Sequence, residues 1–414
     1  MKVTNNLISA RTKNFTVASP VRERMKDHTW LIVALIGIAL MGGLTVVATP
    51  PPMMTPDSLT YLNWSVIRTP GYPFFLSVVR IIDPELGHLP YVQMAILIAS
   101  SAFLAQAAAR LGGPWWIWPL MSAGILGNPF IWRYSWEILT ESLFISLFMV
   151  FLGCVAMALQ RRPALLWLFA ASGILGAAIL VRPAGYALLG AAPLIGLLWT
   201  GRRWTAVGAA TIPAIAILLA VSSWNLATKG FFGTQIFAGY NIGKYDHTLD
   251  TSPINFDIEA PSIALAKQNN ANSTSSAIAT IRHHPADYIS HVLTTFSGLW
   301  TFPDISSAED ARIKIPTFAV PLKEGLFFAL MALSFLLVIA VAIRPTASPL
   351  AIFAAVAALC VNANHLLVAL VEEATPRYAM SMWPALMAML AAFAAWIFLL
   401  TNRRDGQFSW QHST

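Results

Sequence analysis

The sequence predicts an all-α polytopic membrane protein, and three observations lead there. Of its 414 residues, 57% are hydrophobic and only 11% charged, whereas soluble domains carry roughly a quarter charged residues. Apolar runs of about 17 to 24 residues recur along the chain, each sufficient for one helical crossing of a bilayer. Arginines recur in every second connection between those runs, the bias that cytoplasmic loops carry.

The hydrophobic pattern places about ten spans, at 29–48, 90–109, 114–131, 139–158, 164–181, 184–200, 205–224, 324–343, 348–370 and 378–400. A basic tail, 1–28, precedes the first, and the triple proline Pro50-Pro51-Pro52 follows it where a cleavable signal would need small residues. The first span therefore reads as an anchor with a cytoplasmic flank. From that start, Arg110, Arg161, Arg162, Arg202, Arg203, Arg344, Arg403 and Arg404 fall in inside turns, and the tail 402–414 is cytoplasmic too. Asp57, Asp83, Glu85, Glu137, Glu141, Glu372 and Glu373 fall outside. The expected location is a cell (inner) membrane.

The formal charge of +7 does not imply a nucleic-acid partner, because much of the excess sits in those short inside loops. Cys154 and Cys360 lie within apolar spans without metal-ligand spacing and read as structural thiols. Two outer segments are long, and the second divides the membrane region into 29–224 and 324–401. One is the first outer loop, 49–89, with short interfacial helices expected over 57–67 and 73–82. The other is the large loop 225–323. Its polar middle, 267–276, is expected to be mobile or exposed, and the stretch from His284 to Trp300 to be a surface helix.

Charge at the outer rim carries the functional signal. Asp57 follows the first span, and a carboxylate at that depth is costly unless it has work to do. Capping the next helix is its bland role. Glu137 and Glu141, four apart, are expected to share a helix face on the second outer turn, with Glu141 the deeper of the two. Arg68, Arg133, Arg182 and Arg377 sit at the rim against the positive-inside bias, and guanidinium groups grip phosphate oxygens well where water is sparse. Snorkelling, or pairing with Glu372 or Glu373, is the alternative for any one of them. No glycine-rich phosphate loop is present, which disfavours a nucleotide donor.

Asp57 with Tyr61, the run Arg68-Thr69-Pro70-Gly71-Tyr72-Pro73, the run Ile138-Leu139-Thr140-Glu141-Ser142-Leu143-Phe144, then Arg182-Pro183 and Arg377-Tyr378, together resemble the GT-C glycosyltransferases. The likeness is greatest to the bacterial branch akin to protein O-mannosyltransferases and the lipid A aminoarabinose transferase. The resemblance implies transfer of a sugar, with inversion, from a polyprenyl-phosphate donor to a hydroxyl of an envelope acceptor outside the membrane. It implies Asp57 and Glu141 as the catalytic acids. Tyr61, Arg68, Tyr72, Arg133, Arg182, Arg377 and Tyr378 are substrate-binding candidates, with Tyr240, Lys244 and Tyr245 of the large loop as donor contacts. Many members of the family carry two adjacent acids in the first loop, but Ser58 follows Asp57 here. A divalent metal at Asp57 therefore stays open, and no cofactor is required. A secondary transporter for an anion, or a non-catalytic envelope scaffold, are the competing classes; transporter sites lie nearer the midplane.

Overall fold

A computed structural model describes residues 28–47, 52–160, 164–198, 202–236, 263–301, 319–343, 348–371 and 375–404. In chain order the helices are α1 Thr29–Val47, α2 Ser58–Leu62, α3 Gly71–Ile82, α4 Leu89–Ala109, α5 Ile117–Leu126 and α6 Pro129–Trp136. They continue with α7 Glu141–Gln160, α8 Ala164–Val181, a 3-10 turn Pro183–Gly185, α9 Tyr186–Leu197 and α10 Arg203–Lys229. The last are α11 Ile263–His283, α12 Pro285–Thr301, α13 Ala319–Ile343, α14 Pro349–Val371, α15 Pro376–Ser381 and α16 Trp383–Arg404. Among the described residues the only β pairing is one parallel bridge, Met53 to Glu137.

Seven of these helices are long and apolar enough to cross a membrane: α4, α7, α8, α10, α13, α14 and α16. The all-α membrane class is therefore observed. The helix α1 is apolar over 19 residues as well, α9 is apolar but shorter, and the expected span 114–131 is not one helix. It breaks into α5 and α6, because Asn128 takes extended backbone and its side chain accepts the Phe130 amide, which starts a new helix at Pro129. Ten residues of α5 rise about 15 Å, half a hydrocarbon core. The pair still returns the chain to the end that holds Asp57, since Met53 N donates to Trp136 O at 2.7 Å and Ile138 N to Met53 O at 3.1 Å.

The core runs through α4, α7, α8, α14 and α16, where Leu104, Phe144, Phe148, Leu175, Phe353 and Met389 are fully buried. Such packing, with lipid-facing residues left exposed, is how a bundle holds together without a hydrophobic drive between its helices. The first outer loop is laced to this bundle. Thr69 Oγ1 donates to Val181 O at 3.2 Å, and Ser58 Oγ to Ile138 O at 3.0 Å. Gly71 lies so close to α8 that a Cβ there would stand 2.5 Å from Leu180 O. On α3, Tyr72 and Leu76 are buried while Phe74, Val78, Ile81 and Ile82 form an exposed apolar row, as an interfacial helix facing lipid should.

Two expectations are corrected. Glu137 and Glu141 do not share a helix face: Glu137 is extended in the bridge to Met53, and α7 begins only at Glu141. The polar run 267–276 is largely exposed, as expected, and lies within the helix α11. The stretch to Trp300 is more than a surface helix, because α12 packs on α14 and fully buries Leu299 and Trp300. Its exposed, amphipathic part misled the sequence reading, which had no sight of the α14 face it meets.

Replacing Gly71 with Ala should destabilise the protein by about 1–3 kcal/mol through enforced separation of the first loop from α8. A lowered thermal transition in detergent checks it; an unchanged transition would mean the loop can give way.

Candidate functional site: a relay of opposite charges

Five side chains from four parts of the chain meet at the end of the bundle reached by the loop before α3. Arg68 Nη2 lies 2.5 Å from Asp57 Oδ1, and Arg377 Nη1 lies 3.1 Å from Asp57 Oδ2. Arg377 Nε lies 2.6 Å from Glu141 Oε1, and Arg182 Nη1 lies 2.5 Å from the same oxygen. The order is Arg68, Asp57, Arg377, Glu141, Arg182, with signs alternating throughout. Three guanidinium groups face two carboxylates, which leaves one positive charge. The contacts of Arg182 and Arg377 on Glu141 Oε1 are close ion pairs without hydrogen-bond alignment.

Local sequence puts each group there. Asp57 stands before α2 but its carboxylate makes no capping bond. Instead its carbonyl takes the Thr60 hydroxyl at 2.6 Å, and Thr60 Oγ1 in turn accepts Arg68 Nε at 2.9 Å. Thr60 therefore aims Arg68 at the carboxylate. Glu141 opens α7, where the free amides of a first turn favour an anion, and Thr140 Oγ1 donates to its Oε2 at 3.1 Å. Arg182 makes the last helical bond of α8, to Ala178 O. Pro183 then ends the helix, and the extended backbone at Arg182 turns the side chain away from the helix path. Arg377 follows Pro376 in the first turn of α15.

Exposure grades along the relay. Glu141 is 0% exposed and the Arg182 side chain 5%, whereas Asp57 is 27% and Arg377 35%. The inner end is thus a buried ion pair whose partners are needed to hold charge out of water, and the outer end is accessible. Burial pushes the Asp57 carboxyl up, but Arg68 and Arg377 outweigh it and hold it below its ordinary 3.8. Burial raises the Tyr61 phenol, which stays protonated.

Aromatic rings line the relay. Arg68 lies 5.0 Å over the Tyr61 ring, and Tyr378 lies under both Arg182, at 5.1 Å, and Arg377, at 6.0 Å. Tyr72 meets Tyr61 edge-on at 5.3 Å and donates its hydroxyl to Gln93 Oε1 at 3.3 Å. Gln93 Nε2 donates to the carbonyls of Ser135 and Glu137, so it fixes the second outer turn. Gln93 and Thr60 were missed by the sequence reading. Gln93 did leave a signal, as a polar amide within an apolar span; Thr60 left none.

Of the residues singled out, Asp57, Glu141, Tyr61, Arg68, Tyr72, Arg182, Arg377 and Tyr378 come together. Arg133 does not join the relay; its Nε pairs with Glu137 Oε1 at 2.9 Å. Tyr240, Lys244, Tyr245, Glu372 and Glu373 lie outside the described residues. Among the described residues there is no cluster of three or more His, Cys, Asp or Glu fit to hold a metal, and both Asp57 oxygens face guanidinium groups.

Arg182→Leu should cost about 3–5 kcal/mol by leaving Glu141 buried beside one partner, and adding Glu141→Leu should restore most of it. Equal losses in the single and double variants would refute the pairing. With Asp57 titrating below 3.8, its stabilising contribution is complete above about pH 4 and fades as pH falls below that. Thermal transitions followed from about pH 5 to pH 2.5 should therefore slope less in Asp57→Asn than in the wild type. No family model, curated protein or solved structure matches the chain.

Proposed function

We propose that the protein is a membrane glycosyltransferase that moves a sugar from a polyprenyl-phosphate donor to a hydroxyl of an envelope acceptor, with inversion, on the outer side of a bacterial inner membrane. The observation that carries this reading is the meeting of Asp57 and Glu141 through Arg377 at one end of the bundle. The proposed topology crosses the membrane ten times, with α5 and α6 together making one crossing and both termini cytoplasmic. It is supported by the position of Asp57, Glu141, Arg182 and Arg377 at a common end after successive helices.

In the proposed step, the donor phosphate approaches Arg377, the most exposed guanidinium of the relay, and competes with Asp57 for it. Asp57 Oδ2 then takes the proton of the acceptor hydroxyl. The acceptor oxygen forms its bond to the anomeric carbon as the bond from that carbon to the phosphate oxygen breaks, and the electron pair leaves with the polyprenyl phosphate. The surplus positive charge of the relay favours that leaving dianion. Glu141 and Arg182 hold Arg377 in place and do not touch the reacting atoms. Tyr61 and Tyr378 keep water from the guanidinium faces.

General-base assistance supplies about 10²–10⁴-fold in rate. Asp57→Asn should lower sugar transfer by that factor while accumulating normally in the membrane, as read from transfer out of lipid-linked sugar in isolated membranes. Unchanged transfer would remove Asp57 from the reaction. Deleting the protein should erase one sugar increment from envelope lipids or glycans and let the lipid-linked donor accumulate, measured by mass spectrometry. Tags at position 270 should be reachable from outside intact cells and tags at 202 should not; the opposite labelling would invert the topology.

A further inference from the structure

Beside Arg68 lies a second feature, a small groove of about 10 Å³, with room for one oxygen-sized group, between the turn after α2 and the C-terminal end of α10. Trp64, Ser65, Arg68, Asn225, Lys229 and Phe231 line it. Its walls are tied together: Ile236 N donates to Val66 O at 3.0 Å, and Asn225 Nδ2 to Gly233 O at 2.8 Å. Trp64 holds left-handed backbone at φ 53°, a costly state for a tryptophan, and stands half exposed at the rim.

The polar groups of this groove have one sign. Lys229 pairs with no carboxylate among the described residues, and no carboxylate lines the groove. Lys267 reaches the same corner, its Nζ donating to Gly230 O at 2.5 Å. Arg68 brings a second cation to the lining from its seat on Asp57. The Ser65 hydroxyl is buried, with its residue 4% exposed, and has no hydrogen-bond partner. A buried hydroxyl without a partner is unfavourable, and a ligand oxygen would relieve it. Cations plus a hydroxyl donor describe an anion site, and phosphoryl oxygens suit them best.

The surroundings point to a lipid as the source. Trp224 and Phe232 are exposed beside the groove, and α3 presents Phe74, Ile81 and Ile82 outward. Exposed aromatic side chains near the end of an apolar helix are the mark of a membrane interface, where headgroup phosphates sit. Trp64, Pro70, Pro73 and Phe231 make the mouth of the groove apolar, so that one phosphoryl oxygen enters while the rest of a lipid stays outside.

We propose that this groove binds the phosphodiester headgroup of an anionic lipid, with Lys229 and Arg68 as its cations and Ser65 as a hydrogen-bond donor, and that a hydroxyl on that headgroup is the acceptor presented to Asp57. The acceptor role rests on the transferase reading; the binding does not. Asp57 is flanked by Arg68 on the groove side and by Arg377 on the side assigned to the donor. The carboxylate thus adjoins both anion positions, and inversion asks that the headgroup oxygen it deprotonates attack the anomeric carbon from the face opposite the donor phosphate. Proton and bond changes are those given above, with the headgroup oxygen as nucleophile.

The full chain in nanodiscs tests this. Spin-labelled phosphatidylglycerol, anionic and hydroxylated, is compared with spin-labelled phosphatidylcholine for association with the wild type, Lys229→Gln, Ser65→Ala and Asp57→Asn. The wild type should favour phosphatidylglycerol, Lys229→Gln should lose that preference by about tenfold, and Ser65→Ala by a smaller factor. Asp57→Asn should keep it. Equal preference in the wild type and Lys229→Gln overturns the site. Abolition of the preference by millimolar inorganic phosphate overturns the lipid source in favour of a free anion. A Lys229→Gln protein that loses the preference but transfers sugar as the wild type does overturns the acceptor role and leaves the transferase reading intact. Selective lipid binding by a wild type that transfers no sugar overturns the transferase reading and, with it, the acceptor role.

Discussion

Arg377 is the group on which the charged end of the bundle depends. One guanidinium spans two carboxylates, from a loop near the start of the chain and from the head of α7. Without it, Asp57 would keep Arg68 and Glu141 would keep Arg182, but nothing in the relay would join the first loop to the buried pair. A guanidinium suits this task because its rigid fork presents several N–H groups in fixed directions and stays charged when water is sparse. Lysine would offer a point charge to one carboxylate at a time.

The relay also explains why the outer ends of so many helices are irregular. Pro183 stops α8 so that Arg182 can turn, Pro376 starts a short helix that carries Arg377, and the Met53 bridge keeps Glu137 and Ile138 extended instead of helical. Each departure from a straight span leaves backbone groups that need partners, and side chains supply several of them. Ser58 donates to the Ile138 carbonyl, Gln93 to those of Ser135 and Glu137, and Thr69 to that of Val181. Irregular backbone near a membrane is tolerated where protein satisfies it in this way.

The sequence made most of this end legible through cost. Charged residues next to apolar runs are expensive, so Asp57, Glu141, Arg68, Arg182 and Arg377 stood out individually, and the bias against outer arginines grouped them. Who pairs with whom was not legible. Residues 57 and 377 are separated by most of the chain, and the nearer candidates for Arg377 were Glu372 and Glu373. Arg133 met the same criterion and yet turns to Glu137, because four-residue spacing and the α6 terminus bring those two together locally. Span counting went furthest astray at 114–131, where composition is apolar throughout and only Asn128-Pro129 marks the break. Lys229 escaped because the span was ended at 224; the rule that flagged the rim arginines would have flagged it as well.

The most direct test of the account is the coupling energy between the two carboxylates. A double-mutant cycle of Asp57→Asn and Glu141→Gln, read from unfolding free energies, measures whether the residues act as one unit. Groups sharing a partner couple by about 0.5–3 kcal/mol, whereas independent sites add within about 0.3–0.5 kcal/mol. The account predicts coupling within the first range in the wild-type background and its disappearance when Arg377 is replaced by leucine. Additive losses with Arg377 present would contradict it.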